Sequence, residues 1–256
     1  MPSVVVDGLS VTYKVHLDRR RELRRVLVGN QSRRPRFRAV EAVRDVSFVV
    51  YPGQAVGVVG HNGSGKSTLL RTIAGLQPPT KGRVFAGSLP VLLGVNAALE
   101  GDVSARGNVF LGGTALGFSR EQMNVQADDI LETAGLPEFA DMPLRTYSSG
   151  MKARLNFAIA TSTTPDILLI DESLGAGDEE FREKSEERIQ RLVDESGTVF
   201  IVSHNAGAIV KMCNRVLWLD RGRLVADGEP TAVMGAYRRV MKQRRRRRRR
   251  AARNGA

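Results

Sequence analysis

At 256 residues with 42% hydrophobic content, the chain is long enough to bury one large core or two small ones, and an α/β class is the natural expectation. No apolar run approaches the roughly 18–20 residues of a membrane span, and Met1-Pro2-Ser3-Val4 lacks the basic and apolar regions of a signal peptide, so the chain is expected to stay in the cytosol. A single cysteine, Cys213, excludes an internal disulfide, three scattered histidines argue against a structural metal site, and the net charge of +12 is unevenly placed: residues 238–256 hold eleven basic and no acidic side chains, residues 14–38 hold ten basic against Asp18 and Glu22, and the remainder is mildly acidic.

Val4-Val5-Val6 and Leu9 to Tyr13 read as two short strands around a turn at Asp7-Gly8. Tyr13 is either a strand residue packed on a neighbour or an aromatic that stacks on an adenine ring. In the basic stretch 14–38, Leu17, Leu23, Val26, Leu27 and Val28 are spaced as in a short amphipathic helix, followed by a polar loop from Gly29 to Pro35. A solvated surface insertion and a segment lying near anionic lipid headgroups or a membrane partner fit this pattern equally well.

Val43 to Tyr51 gives a strand, Pro52-Gly53 a turn, and Ala55 to Gly60 a buried strand that feeds Gly60-His61-Asn62-Gly63-Ser64-Gly65-Lys66-Ser67-Thr68. Leu69 to Ala74 reads as the helix leaving that turn. A strand, a glycine-rich turn and a helix in this order make a phosphate cradle. Backbone N–H groups converge on the β- and γ-phosphates, the helix N-terminus adds partial positive charge, Lys66 reaches the same oxygens, and Ser67 offers its hydroxyl to Mg²⁺. The bland alternative is a chance glycine loop.

Gly75 closes the helix, Pro78 to Gly82 is a loop, and Arg83 to Ala86 a strand. From Ser104 to about Ser162 the character is helical, with Ser119 and Gln122 forming a capping box ahead of Met123, Ile130 and Leu131. Helices inserted between strands of a nucleotide-binding sheet imply a subdomain standing off the core. Tyr147-Ser148-Ser149-Gly150-Met151 opens its last helix, where small and hydroxyl residues form a second anion site; a plain N-cap explains Ser148 equally well.

Ile167 to Ile170 is a wholly apolar strand ending in Asp171-Glu172, two carboxylates at the strand end where ligands bind in open α/β sheets. Asp171 can hold Mg²⁺, directly or through water, and Glu172 can orient and polarise an attacking water. Gly175 to Asp178 turns into a charged helix over Glu179 to Glu195, and Thr198 to Val202 is a buried strand ending in Ser203-His204. The placement of His204 beyond a strand end favours a reach towards the γ-phosphate over a structural role. Arg215 to Leu219 and Leu224-Val225 make a hairpin across Asp220-Arg221-Gly222, and Pro230 to about Met241 is a helix. The tail, 242–256, contains seven consecutive arginines and is expected to be disordered and solvated, with attraction to anionic lipid as the second reading and nucleic acid last.

Taken in order and spacing, these six motifs resemble the nucleotide-binding domain of an ATP-binding cassette (ABC) protein, from about Val4 to Tyr237. The resemblance implies a P-loop α/β core over residues 1–241, with a mixed sheet, an N-terminal antiparallel β subdomain and an inserted α-helical signature subdomain at about 104–162. It implies ATP and Mg²⁺ as ligands. Tyr13 is then the adenine-stacking aromatic, and Gly60, Asn62, Gly63, Ser64, Gly65, Lys66, Ser67 and Thr68 belong to the Walker A loop. Ser148, Ser149 and Gly150 lie in the signature, Ile167 to Asp171 is the Walker B strand, Glu172 the catalytic glutamate, Asp178 the D-loop aspartate and His204 the switch histidine. In such proteins two domains pair head to tail, each ATP lying between one Walker A loop and the partner's signature helix, so a monomer is expected to be a poor ATPase.

Tyr147 to Met151 replaces the common Leu-Ser-Gly-Gly-Gln, with Ser149 in place of a glycine. This variant, the run Asp171 to Asp178 followed by Glu180-Phe181, and Val202 to Asn205 with Cys213 and Trp218-Leu219-Asp220 are similar to the ATPase subunits of polysaccharide exporters. The basic insertion after Tyr13 also resembles that group, which moves lipid-linked O-antigen, galactan, capsule or teichoic-acid chains across bacterial plasma membranes. The partners implied are a second copy and an integral membrane permease at the cytoplasmic face of the plasma membrane; an anionic membrane surface is a further candidate, and nucleic acid ranks last. A C-terminal carbohydrate-binding domain, carried by some members, is not expected. One departure stands out: the Q-loop should fall near Gly94-Val95-Asn96, where Asn96 is the polar candidate for Mg²⁺, one methylene shorter than glutamine. Ser104-Ala105-Arg106-Gly107-Asn108 is also looser than the Thr-Gly-Arg-Glu-Asn usual in that group. An importer or drug-exporter ATPase shares the phosphate chemistry and is the main alternative; a cassette acting on ribosomes or DNA fits the chain length poorly.

Overall fold

The structure, a computed structural model, describes residues 1–16, 37–93, 99–171, 179–203 and 205–254. Val4, Val6, Leu9 and Val11 are all buried, and the parity of the apolar residues switches between Val6 and Leu9. That switch is the mark of a bulge, which inserts one residue and turns the following side chains back to the same face. The first element is therefore one strand, β1 (Val4–His16), and not two short strands around a turn. Its pairing slips between Val6↔Phe48 and Leu9↔Val46, Gly8 takes a left-handed φ of +55°, and the Gly8 N–H donates to the Ser47 hydroxyl at 2.8 Å.

β1 pairs antiparallel with β2 (Phe37–Val50) on one side and β4 (Lys81–Ala86) on the other, giving a three-stranded sheet in the order β2-β1-β4. The ends of the basic stretch are strand: Lys14, Val15 and His16 pair with Ala39, Arg38 and Phe37, extending the ladder beyond its expected limits at Tyr13 and Val43. The amphipathic helix and polar loop expected over Leu17 to Pro35 lie outside the described residues.

A second sheet of six strands runs β5-β6-β7-β3-β8-β9, with β3 (Ala55–Val59), β5 (Val91–Leu93), β6 (Ile167–Ile170), β7 (Thr198–Val202), β8 (Arg215–Asp220) and β9 (Arg223–Gly228). The first five are parallel, and β9 returns antiparallel on β8. Every residue of β6 and β7 is buried, as unbroken apolar runs require when both faces of a strand are covered. One face packs with the antiparallel sheet and α1 (Lys66–Ile73); Phe48 and Phe200 meet across this layer with ring centroids 6.3 Å apart. The other face packs on α5 (Glu179–Glu195), α6 (Ala206–Met212) and α7 (Pro230–Asn254) through Leu192, Ile209, Val233 and Met234.

The helices α2 (Ala105–Ala115), α3 (Arg120–Thr133) and α4 (Ser149–Ala160) enclose a third cluster of their own, centred on Val109, Met123, Leu131, Leu155 and Ile159. Ser119 and Gln122 make the capping box that the sequence predicts: the Gln122 N–H donates to the Ser119 hydroxyl, and the Ser119 N–H to the Gln122 side-chain oxygen at 2.7 Å. The entry to α2 is knotted by Asn108, 1% exposed. Its amide oxygen accepts from the Glu100 N–H at 2.7 Å, and its amide nitrogen reaches the carbonyls of Glu100, Val103 and Ser104 at 2.9–3.1 Å. Asn108→Ala leaves these groups buried without their partner and is expected to destabilise the fold by about 2–4 kcal/mol, read as a lower thermal midpoint.

At the C-terminus α7 continues to Asn254, where a disordered tail from residue 242 was the expectation. Arginine is a good helix former, no proline or glycine interrupts the run after Gly235, and Arg244 is pinned to Asp220 through two parallel N–H···O bonds of 2.8 and 2.7 Å. No helix among the described residues is long and apolar enough to cross a membrane.

Candidate functional site: a phosphate cradle at the sheet edge

Parallel pairing in the order β6-β7-β3 brings three strand ends to one edge of the large sheet. Asp171 follows β6, Ser203 follows β7, and the glycine-rich loop follows β3. With neighbouring strands about 4.8 Å apart, Asp171 and the root of the loop stand roughly 10 Å from each other across the edge. Three stretches remote in sequence therefore share one ligand-facing rim.

Within the loop the backbone folds back on itself: the Ser64 N–H donates to the His61 carbonyl at 3.0 Å, and the buried Lys66 extends its ammonium to the carbonyls of Gly60 and His61 at 3.0 and 3.3 Å. Gly65 is the N-cap of α1 at φ +105°, and a Cβ there would collide with the Ala42 carbonyl of β2. Gly65 has no side chain to cap that helix, so its N-terminus, the positive end of the helix dipole, favours a negative charge at the loop. Gly63 has open space on its outer side, Asn62 and Ser67 are exposed, and Thr68 is half-buried. An anionic phosphate chain fits this arrangement of donors, ammonium and open space. The hard oxygen donors of Ser67 and the half-buried Asp171 are of the kind that would hold a Mg²⁺.

The loop is buttressed from below by the β8–β9 turn. The Gly222 N–H donates to the Ser64 carbonyl at 2.9 Å, and the Leu219 carbonyl abuts Gly60 so closely that any side chain there would overlap it. His61 points one ring nitrogen, Nε2, at the Asp220 carboxylate, 3.2 Å away, and the other, Nδ1, at the Asn62 carbonyl, 2.7 Å away. Arg244 occupies both oxygens of the same carboxylate, and its guanidinium, followed by His61 and Arg221, holds the Asp220 carboxyl below the usual carboxylate range. The sequence pattern puts Asp220 in a hairpin turn and Arg244 in a tail. Only the pairing of β8 beside β3 brings either to the loop.

Of the other site residues, those that the structure describes lie on β1 and at the start of α4. Tyr13 is half-buried, packs against the core between the sheets, and donates its hydroxyl to Gln77 at 3.4 Å. Ser148 caps α4, its hydroxyl accepting the Met151 N–H at 3.2 Å, and Ser148, Ser149 and Gly150 are exposed at that helix start. Tyr147 beside them is buried and donates to the Phe139 carbonyl at 2.6 Å; burial pushes its phenol above the ordinary range. Asn96, Glu172, Asp178 and His204 lie outside the described residues.

Known proteins resemble this chain in sequence and in fold. The profile of the family described as "ABC transporter" matches residues 43–175. The ABC transporter protein AbcA of Aeromonas salmonicida is 39% identical over 202 residues, which are 78% of this chain and 66% of that protein. The O-antigen export system ATP-binding protein RfbB of Myxococcus xanthus is 39% identical over 218 residues, 85% of this chain and 50% of that protein. The teichoic acids export ATP-binding protein TagH of Staphylococcus saprophyticus is 33% identical over 239 residues, 93% of this chain and 89% of that protein. The chain thus spans about half to two thirds of the length of the first two relatives and most of the third. Among solved structures, an ATP-binding cassette captured as a dimer in a post-hydrolysis state with ADP and phosphate matches with a TM-score of 0.66 at 22% identity, covering 89% of this chain and 98% of that one. The ATP-binding subunit of an ABC transporter matches with a TM-score of 0.66 at 20% identity, covering 91% of this chain and 92% of that one.

Proposed function

The chain belongs to the ABC transporter family, with that family's cassette fold, and from this premise we propose that it is the ATP-hydrolysing subunit of an exporter for a lipid-linked polysaccharide or teichoic-acid-type polymer. The observation that carries the nucleotide reading is the buried Lys66 set in a loop whose helix has no side-chain cap, on the same sheet edge as Asp171. The choice of cargo is supported by the relatives named for O-antigen and teichoic acid export, one of them alignable over 93% of this chain.

In this reading Lys66 and the amides of residues 63–68 neutralise and orient the triphosphate, and Tyr13 lies against the adenine. Ser67 and Asp171, with Asn96 in the place of the Q-loop glutamine, would hold a Mg²⁺, which would supply neutralisation of the phosphate charge. Glu172 takes the proton of the attacking water, His204 attends the γ-phosphate, and a second copy contributes Ser148, Ser149, Gly150 and Asp178. A permease at the cytoplasmic face of the plasma membrane converts opening and closing of the pair into transport.

A mixing experiment tests the shared site. Lys66→Ala removes the ammonium, and Gly150→Asp sets a negative charge where the partner's phosphate would lie; Gly150 has room, a Cβ there meeting only the Ser148 hydroxyl at 3.9 Å. Each variant alone should be inactive. An equimolar mixture should recover about a quarter of wild-type ATPase activity, since half the dimers are mixed and each of those holds one intact composite site. A mixture as inactive as its components would refute head-to-tail pairing. Export itself is read in cells: depletion of the protein should strand completed polymer on the inner face of the membrane, and unchanged surface polymer would remove the cargo assignment.

A further inference from the structure

We propose that Asp220 is a positioning residue for the nucleotide loop, acting through His61, and that Arg244 of the C-terminal helix is the counter-charge that keeps this carboxylate compatible with a bound triphosphate. The proposal rests on the loop being a nucleotide site and adds residues far from it in sequence.

Asp220 ends β8, whose neighbour β3 leads into the loop, and its side chain is only 15% exposed. One carboxylate oxygen lies 3.2 Å from Nε2 of His61. The carbonyl of His61 in turn accepts from the Lys66 ammonium, so the placement of His61 fixes part of the seat of the lysine that meets phosphate. The contacts of Gly222 with Ser64 and of Leu219 with Gly60 hold the backbone of the same loop; the carboxylate adds a polar contact from the side chain.

A carboxylate at the rim of an anion site is a liability. Unopposed, its charge repels the triphosphate that the loop exists to hold. Arg244 removes that liability with a bidentate pair, both bonds under 3 Å, while leaving one oxygen within reach of His61. The guanidinium comes from the start of the arginine run, on a helix whose preceding turns are seated on β8 by the edge-to-face contact of Tyr237 with Trp218, ring centroids 5.6 Å apart. The C-terminal helix is thereby tied electrostatically to the nucleotide loop.

The test uses the full chain and a fluorescent ATP analogue, with Kd from titration and KM and kcat from ATPase assays. Arg244→Gln should weaken analogue binding and raise KM about two- to fivefold at unchanged kcat, the scale of a partly exposed charge pair. Arg244→Lys, which restores the charge, should recover most of the loss. Asp220→Asn keeps an acceptor for His61 but removes the charge, so the double variant Asp220→Asn/Arg244→Gln should return to near wild-type affinity even though both variants break the ion pair. Asp220→Ala should raise KM whether or not Arg244 is present. A purely structural role would give a double variant at least as impaired as Arg244→Gln, and that result, or wild-type affinity in Arg244→Gln, overturns the proposal. Failure of the wild-type protein to bind the analogue at all would instead overturn the nucleotide reading.

Discussion

Glu172→Gln should lower ATP turnover by about 10²–10⁴-fold while ATP affinity stays near wild type. An amide cannot accept the proton of an attacking water, whereas the groups assigned to hold the triphosphate, Lys66 and the amides around it, are untouched by the change. The expected signature is therefore a split: intact binding in equilibrium titration, no phosphate release, and an ATP-dependent dimer that persists in size-exclusion chromatography because hydrolysis no longer separates the copies. Wild-type turnover in this variant would place the base elsewhere.

Gly65→Ala is expected to be, with a side chain at Gly60, among the most damaging changes in the loop. The position combines a φ of +105° with a Cβ that would overlap the Ala42 carbonyl of β2, so neither a rotamer change nor a small loop shift relieves it. Backbone strain and overpacking together predict a loss of about 3–5 kcal/mol in stability, with nucleotide binding lost as α1 is pushed from its seat. Gly63→Ala provides the contrast. It carries a similar φ of +76° but faces open space, and should cost only about 1–2 kcal/mol. Thermal midpoints and analogue titration of the two variants side by side separate steric collision from conformational preference; equal losses would show that the Ala42 contact is irrelevant.

What was legible in the sequence is what local pattern encodes. The strand, loop and helix around Lys66 stand where periodicity and glycine spacing put them, and the Ser119–Gln122 box and the helix over Glu179–Glu195 follow from side-chain chemistry within a few residues. The misreadings have local causes too. Asp7-Gly8 looks like a turn because a bulge uses the same residue types, and β5, with three residues, is too short to show any period. α6 was missed although Asn205 accepts from the N–H groups of Gly207 and Ala208 as its cap. The arginine run was read by its charge, which favours solvation, and not by its helix propensity, which carries α7 through it. The Asp220–His61 contact was out of reach for a different reason: it exists only because β8 pairs beside β3, and no local pattern in the intervening chain announces that pairing.

The lone cysteine gives the protein a practical asset for spectroscopy. Cys213 is buried, its sulfur lies against Gly57 of the central strand, and burial pushes its thiol up to about 12, so the folded protein presents almost no thiolate at neutral pH. The native background is thus silent towards maleimides and nitroxide reagents without any cysteine having to be removed. A thiol introduced at exposed Ser149 or Asn62 becomes the sole reactive handle on the chain, and mixing copies labelled at Ser149 with copies labelled at Asn62 would report the distance between the start of α4 on one molecule and the glycine-rich loop on another.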